Sequence, residues 1–510
     1  MKMRKKALLA AVLVASTASP ALARPVHQQF NSWWFVNSVT AGRIHDHLER
    51  LQKIASKNNN TRALGTPGYS ESVRYIVDRL KKAHYHPVIQ PFVANLFKEN
   101  STPILDVTSP DHPAYTADVD FTTMQYSDSG DVTAQLFAAG GIVLPPSPDP
   151  SSASGCAVGD FAGASGKIAL VQRGTCTFEE KAQNAAAAGA VGVIIFNEGN
   201  PGRTDLLGGT LTNVQTIPVV GTTFAVGDAL HTLVQNGPTT VHLKVDVTTT
   251  PIQTWNVLAE KRGRVNNQDV VVGAHLDSVD AGPGINDNGS GSATILTIAE
   301  QMTNLHIRPR NTVRFAFWGA EEEGLVGSTH YVDNLSAEAL ANISLNLNFD
   351  MLGSPNFVRF VYDGDGTIGD PGPAGSDVIE DVFTDFFDRR HQASEPTEFD
   401  GRSDYFEFIN AGIPAGGLFS GAEGIKTAEQ QAKYGGTAGA PYDACYHQAC
   451  DTIRNLNRRS LDQLGKAAAH SVFYFAMTRD NPRPASAAAQ KSLAASAAKA
   501  ANYRGPHLVR

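Results

Sequence analysis

The chain has 510 residues, with 42 lysines and arginines against 50 aspartates and glutamates, a net charge of −8 and 42% hydrophobic residues. That composition excludes a disordered or fibrous protein, and a chain of this length divides into about two to four domains of roughly 150 residues each. The basic residues are scattered through a mildly acidic chain, which argues against a nucleic-acid partner.

Met1–Ala23 joins a basic start (Lys2, Arg4, Lys5, Lys6), an apolar run over Ala7–Ala15 and the small-residue ending Ala21-Leu22-Ala23. This is the layout of a secretory signal, and the run is too short to span a bilayer. No later stretch reaches about 18 consecutive apolar residues, so the expected product is exported, either periplasmic or extracellular, without a membrane anchor. After the signal, Val39, Ile44, Leu48 and Leu51 give helical spacing over Asn37–Leu51. Val73, Ile76, Val77 and Leu80 do the same over Ser70–Lys82, and Pro87–Phe92 reads as a strand. An α/β layer structure begins here.

Between His112 and Val247 the texture changes to short apolar runs such as Gly166–Val171 and Ala190–Phe196, the second following an alanine-rich helix over Phe178–Ala188. Few charged or nucleophilic residues cluster in this stretch. It reads as a strand-rich module, residues 112–247, inserted into a larger domain formed by 24–111 and 248–482. The Ala- and Ser-rich residues 483–510 form a low-complexity tail. Cys156, Cys176, Cys445 and Cys450 are the four cysteines. Export favours their oxidation, thiolate zinc sites want CxxC-type spacing that is missing here, and pairing of sequence neighbours, Cys156–Cys176 and Cys445–Cys450, is expected.

From Trp255 the pattern alternates strands with helices: a strand over Asp269–Ala274, a helix over Gly289–Met302, and strands over Thr312–Trp318 and Ile343–Phe349. Alternation of this kind builds a mixed, mostly parallel central sheet with helices on both faces. Chemistry in such sheets collects beyond the carboxyl ends of the strands. There the chain places His275-Leu276-Asp277, Glu321-Glu322-Glu323 and Asp350, with the turn Gly284–Gly291 around Asp287 and, later, Tyr446-His447 between two cysteines. Two histidines and three carboxylates are the donors that a pair of zinc ions takes. Asp287, short-stemmed in a glycine-flanked turn, is the natural bridge between them. Asp277 is placed to hold the imidazole of His275 by its other nitrogen.

These motifs, with His275-Leu276-Asp277-Ser278, Gly284–Gly291, Gly319-Ala320-Glu321-Glu322, Asn348–Met351 and Tyr446-His447 in this order, resemble the dizinc exopeptidase family of secreted bacterial leucine aminopeptidases and aminopeptidase Y. Gly166–Phe178 resembles the protease-associated domain. The resemblance implies a zinc exopeptidase fold with an inserted protease-associated domain, and two Zn2+ per chain. Asp287 would bridge the two ions, His275 and Asp350 would complete one site, and Glu322 and His447 the other. It further implies Glu321 as general base, Tyr446 as hydrogen-bond donor to the oxyanion, and Arg402, Met351 and Phe419 beside the substrate.

The expected reaction is release of N-terminal, Leu-like residues from peptides or protein N-termini by water activated at the two ions, in a chain acting as a monomer. A glutamate-type carboxypeptidase would need a basic pocket for the terminal carboxylate, and near the motifs Arg402 stands alone among acids. A non-catalytic receptor on the same fold would have lost ligands, and all five positions are intact.

Overall fold

A computed structural model of the protein describes residues 31–144, 152–200, 203–265 and 267–484. The export signal expected over 1–23 and the tail from residue 485 onward lie outside the described residues. The first strands are β1 (Val88–Ser109), β2 (Phe121–Thr123), β3 (Gly130–Ala138), β4 (Ile168–Gln172), β5 (Gly192–Phe196), β6 (Val219–Thr222) and β7 (Thr240–Lys261). They are followed by β8 (Asp269–His275), β9 (Thr312–Trp318), β10 (Ile343–Phe349), β11 (Phe360–Tyr362), β12 (Glu395–Thr397) and β13 (Ala415–Phe419). They hydrogen-bond in the order β12-β11-β13-β10-β8-β9-β7-β3-β4-β5-β6-β2, with β1 on β7.

The central strands β9, β8, β10 and β13 are parallel neighbours, while β7 and β11 run against them. Their side chains divide with the period of two that a pleated strand imposes. Val270, Val272 and Ala274 of β8 and Val313, Phe315 and Phe317 of β9 enter one core, with Ile44 and Leu48 of helix Ala41–Lys57, Ile295 of helix Gly291–Asn304 and Leu464 of helix Arg458–Met477. Val271, Ala316 and Trp318 enter the opposite core, against Tyr331 and Val332 of helix Val326–Asp333 and Phe408 of helix Phe406–Asn410. The expected mixed sheet with helices on both faces is what the chain builds.

Local capping explains where elements differ from expectation. The first long helix starts at Ala41, where Thr40 accepts a hydrogen bond from the Arg43 amide, and it continues to Lys57 because Ile54 and Ala55 bury another turn. The helix expected from Gly289 begins at Gly291. Ahead of it, Ile285–Ser290 forms a single distorted turn in which Asp287 and Asn288 leave helical geometry. The strand expected over Pro87–Phe92 is instead the 22-residue β1, paired antiparallel along the equally long β7. This ribbon carries the chain out of the peptidase sheet and back.

At its far end, β3 to β6 are parallel, β2 runs against β6, and helices Phe178–Ala187 and Phe224–Asn236 cover them. The strand-rich stretch is thus a small α/β layer of its own. Both disulfides, Cys156–Cys176 and Cys445–Cys450, are formed as expected. Among the described residues no helix is long and apolar enough to cross a membrane.

Candidate metal centre and active site

Because β9, β8 and β10 are parallel neighbours, their carboxyl ends share one edge, and the loops leaving them deliver the polar groups there. His275 ends β8, Asp350 follows β10 directly, and Glu321 and Glu322 lie in the turn after β9. Asp287 comes from the distorted turn. Gly284 opens that turn at φ 58°, where an added Cβ would stand 2.2 Å from the Asp287 carbonyl oxygen; only glycine fits. His447 arrives from the Cys445–Cys450 loop.

The five residues expected as metal ligands meet. His275 Nε2 is 3.2 Å from Asp287 Oδ1 and 3.4 Å from Asp350 Oδ1. His447 Nε2 is 3.2 Å from Asp287 Oδ2 and 3.0 Å from Glu322 Oε2. Each oxygen of Asp287 therefore faces a different imidazole. Glu321 Oε2 lies 4.0 Å from His275 Nε2, and its residue is 3% exposed. Ligating atoms of His275, Asp287 and Glu322 lie within 4.8 Å of one another, as do those of His275, Glu321 and Asp350.

Four carboxylates packed together out of water repel one another unless cations intervene. Burial holds Glu321 well above the ordinary glutamate range, with His275 opposing and Asp404, Glu322 and Asp350 adding to the shift. Burial would lower both imidazoles. For His275, however, Glu321 and Asp350 outweigh it, and for His447, Tyr446 and Glu322 do, so both stand above the ordinary histidine range. Glu322 Oε1 and Asp350 Oδ1 are buried without a hydrogen-bond partner. Imidazole nitrogens and orphaned carboxylate oxygens aimed at one small space are a donor set that fits divalent zinc.

Asp277 faces His275 at 3.7 Å, longer than a hydrogen bond, and its Oδ2 accepts the Glu322 amide at 3.2 Å. Tyr446 stacks on His447, ring centroids 3.9 Å apart, and its hydroxyl accepts from Arg402 Nη2 at 3.2 Å. Arg402 also pairs with Glu423 at 2.5 Å. Tyr446, His447, Arg402 and Glu423 border a cavity of about 200 Å³ that the cluster also lines. One wall is apolar, with Met351, Phe360, Tyr362, Phe419 and Tyr442; the rim is acidic, with Glu398, Asp400 and Glu423. Met351 and Phe419 thus stand in the pocket.

Supports that local sequence did not mark lie underneath. Asp451 accepts the amides of Asn286 and Asp287, at 2.9 and 3.0 Å. Burial pushes its carboxyl up to about 8. Arg62, fully buried, donates to the carbonyls of Leu276, Pro283 and Gly284. Ser403 donates to Asp350 Oδ2 at 2.6 Å. Asp451 directly follows the Cys445–Cys450 loop, and that adjacency was its one available signal.

A mostly parallel sheet with imidazoles and carboxylates gathered at its strand ends defines a metallohydrolase of the exopeptidase kind. The chain belongs to peptidase family M28: residues 256–472 match Peptidase family M28, and residues 132–230 match the PA domain. An aminopeptidase of Pseudomonas aeruginosa is 46% identical over 486 residues, covering 89% of this chain and 88% of that protein. Leucine aminopeptidase 2 of Trichophyton equinum is 38% identical, covering 92% of each.

Among solved structures, an aminopeptidase from Aneurinibacillus sp. strain AM-1 superposes with a TM-score of 0.68 at 27% identity, covering 88% of this chain and 96% of that one. A zinc aminopeptidase from Bacillus subtilis gives a TM-score of 0.56 at 26% identity, covering 87% and 97%. The protein is an aminopeptidase of the M28 zinc peptidases.

Proposed function

We propose that this aminopeptidase holds two zinc ions, Asp287 bridging them, with His275 and Asp350 on one side and Glu322 and His447 on the other. The observation that carries this reading is the position of Asp287, whose two oxygens each face a separate imidazole at 3.2 Å. When bound, such a pair supplies Lewis-acid activation of water and of the scissile carbonyl. Glu321, buried beside the cluster, takes the proton of the attacking water and returns it to the leaving amine. The Tyr446 hydroxyl donates to the oxygen of the reacting carbonyl as charge develops there. Arg402 keeps that hydroxyl in place, and Asp277 orients His275 and the Glu322 amide.

The substrate reading follows the cavity. Met351 and Phe419, with Phe360 and Tyr442 beside them, suit an apolar, Leu-like first side chain. Glu398, Asp400 and Glu423 on the rim suit a free ammonium and repel a terminal carboxylate, which disfavours the carboxypeptidase alternative. All six site groups come from one chain, so a single chain suffices to build the site.

Residues 24–111 and 248–482 form the peptidase unit, 112–247 the inserted domain, 483–510 a tail, and 1–23 an export signal. The two disulfides support an oxidising destination. The test is hydrolysis of Leu-p-nitroanilide by the purified protein. Activity should vanish with a chelator, return with zinc, and fail on N-acetylated substrate. Cleavage of acetylated peptides carrying free C-termini would overturn the assignment of substrate polarity.

A further inference from the structure

The turn Gly319–Leu325, which carries Glu321 and Glu322, is crowded and unusually shaped. Ala320 and Leu325 lie in the left-handed region at φ 55° and 58°, a conformation that residues with side chains keep only where their surroundings impose it. On its inner side the turn is tied to the peptidase sheet. The Gly319 amide donates to Asn256 Oδ1 at 3.0 Å and the Glu322 amide to Asp277 Oδ2 at 3.2 Å.

On its outer side the ties come from elsewhere. Glu323 Oε2 accepts from Gln125 Nε2 at 3.2 Å and lies 3.5 Å from the Phe97 amide nitrogen. The Tyr126 hydroxyl donates to the Glu323 carbonyl. Gln125 and Tyr126 belong to the inserted layer and Phe97 to β1. Gln125 is itself anchored: its Oε1 accepts from Thr210 at 2.7 Å, and its main chain bonds Gly209 and Leu211. Tyr126 is 2% exposed and packs edge-on to Phe97. Ala320 packs among Phe92 and Ala94 of the same ribbon.

We infer that Glu323 is a positioning residue: through Gln125, Tyr126 and β1, the inserted domain grips the turn from outside and sets where Glu321 and Glu322 stand. The inference rests on the reading of Glu321 as base and Glu322 as ligand. A base displaced by about 1 Å can lose up to about 10²-fold in rate, and Glu323 is bonded directly to one of these residues and one residue removed from the other. The inserted domain therefore matters even for the smallest substrates, which no steric cover would discriminate.

The test compares Q125E, the exchange Q125E/E323Q, Y126F and E321Q in the full chain, reading kcat, KM and zinc per chain on Leu-p-nitroanilide. Q125E removes the amide that donates to Glu323 Oε2 and should lower kcat about tenfold, with KM and zinc content within about twofold of the parent. The exchange restores most of kcat, because donor and acceptor trade places. Y126F, which keeps the ring, should lower kcat about threefold with the same signature.

A Q125E enzyme indistinguishable from the parent overturns the inference. So does a loss of kcat that the exchange does not recover. Inactive E321Q with unaffected Q125E overturns this inference alone; active E321Q overturns the base assignment beneath it.

Discussion

Two groups of acids among the described residues could face a cation, and they are built on opposite principles. Asp287, Glu321, Glu322 and Asp350 are gathered at the strand ends with oxygens aimed at two imidazoles, and Glu322 Oε1 and Asp350 Oδ1 are buried with no hydrogen bond made. Asp363, Asp365 and Glu380 are just as close together, yet each already accepts hydrogen bonds from amides of the surrounding loop. Asp363 accepts the amides of Thr367, Ile368 and Gly369 and the Thr367 hydroxyl, all between 2.9 and 3.1 Å. Glu380 accepts the amides of Gly364 and Asp365. Burial would raise Asp363, but those amides outweigh it and hold its carboxyl below the ordinary range. What separates a metal centre from an acidic turn is the orphaned oxygen, not the crowding of charge.

That contrast is broken or sharpened by substitution. D287A should abolish hydrolysis and strip the protein of zinc, measured by elemental analysis and turnover together; a variant that keeps its full metal content would place the bridge elsewhere. E321Q should keep zinc and lose about 10³-fold in kcat, checked by the same two measurements. Y446F should lose about 10²-fold in kcat with little change in KM, since only the charged oxygen of the reacting carbonyl needs its proton.

In the other group, D363N should leave kcat within about twofold. Losing half of a network that caps four donors should lower Tm by about 2–4 °C, read by scanning calorimetry. The smallest effect is one of pH. Burial pushes Glu380 up to about 7, with the Asp365 and Gly364 amides opposing and the nearby charge of Asp365 adding. The folded state therefore holds a proton that the unfolded state has released. Its contribution is complete below the ordinary glutamate value and is lost as pH rises through about 7. E380Q should accordingly gain stability relative to the parent between pH 5 and pH 8, roughly the window of that titration; a constant Tm difference would contradict it.

Much of this site is legible in the chain because the strands that carry it are buried on both faces. Thr312–Trp318 is apolar apart from Thr312 and Arg314, Ile343–Phe349 carries an apolar residue at every second position, and both form strands over those same residues, so the acidic residues that follow them stand out. The ribbon is the reverse case. β1 and β7 are largely exposed along their middle, with polar stretches such as Thr248–Thr250 and a partner about 150 residues away. Alternation is confined to stretches such as Val241, Leu243 and Val245, and no periodicity marks the exposed middle. Arg62 and Asp451 escape notice for a related reason: each acts on backbone groups far along the chain, and a carbonyl or amide has no sequence signature. Glu323 is one of three consecutive glutamates, and only the fold sets Gln125 and Tyr126 against it.

Zinc titration of the metal-free protein, with bound metal counted against recovered activity on Leu-p-nitroanilide, tests the bridging role of Asp287 most directly. Two ions per chain at full activity, falling below two in D287A, is the outcome the geometry predicts. Full activity with a single ion per chain, or with none in the presence of chelator, would contradict it.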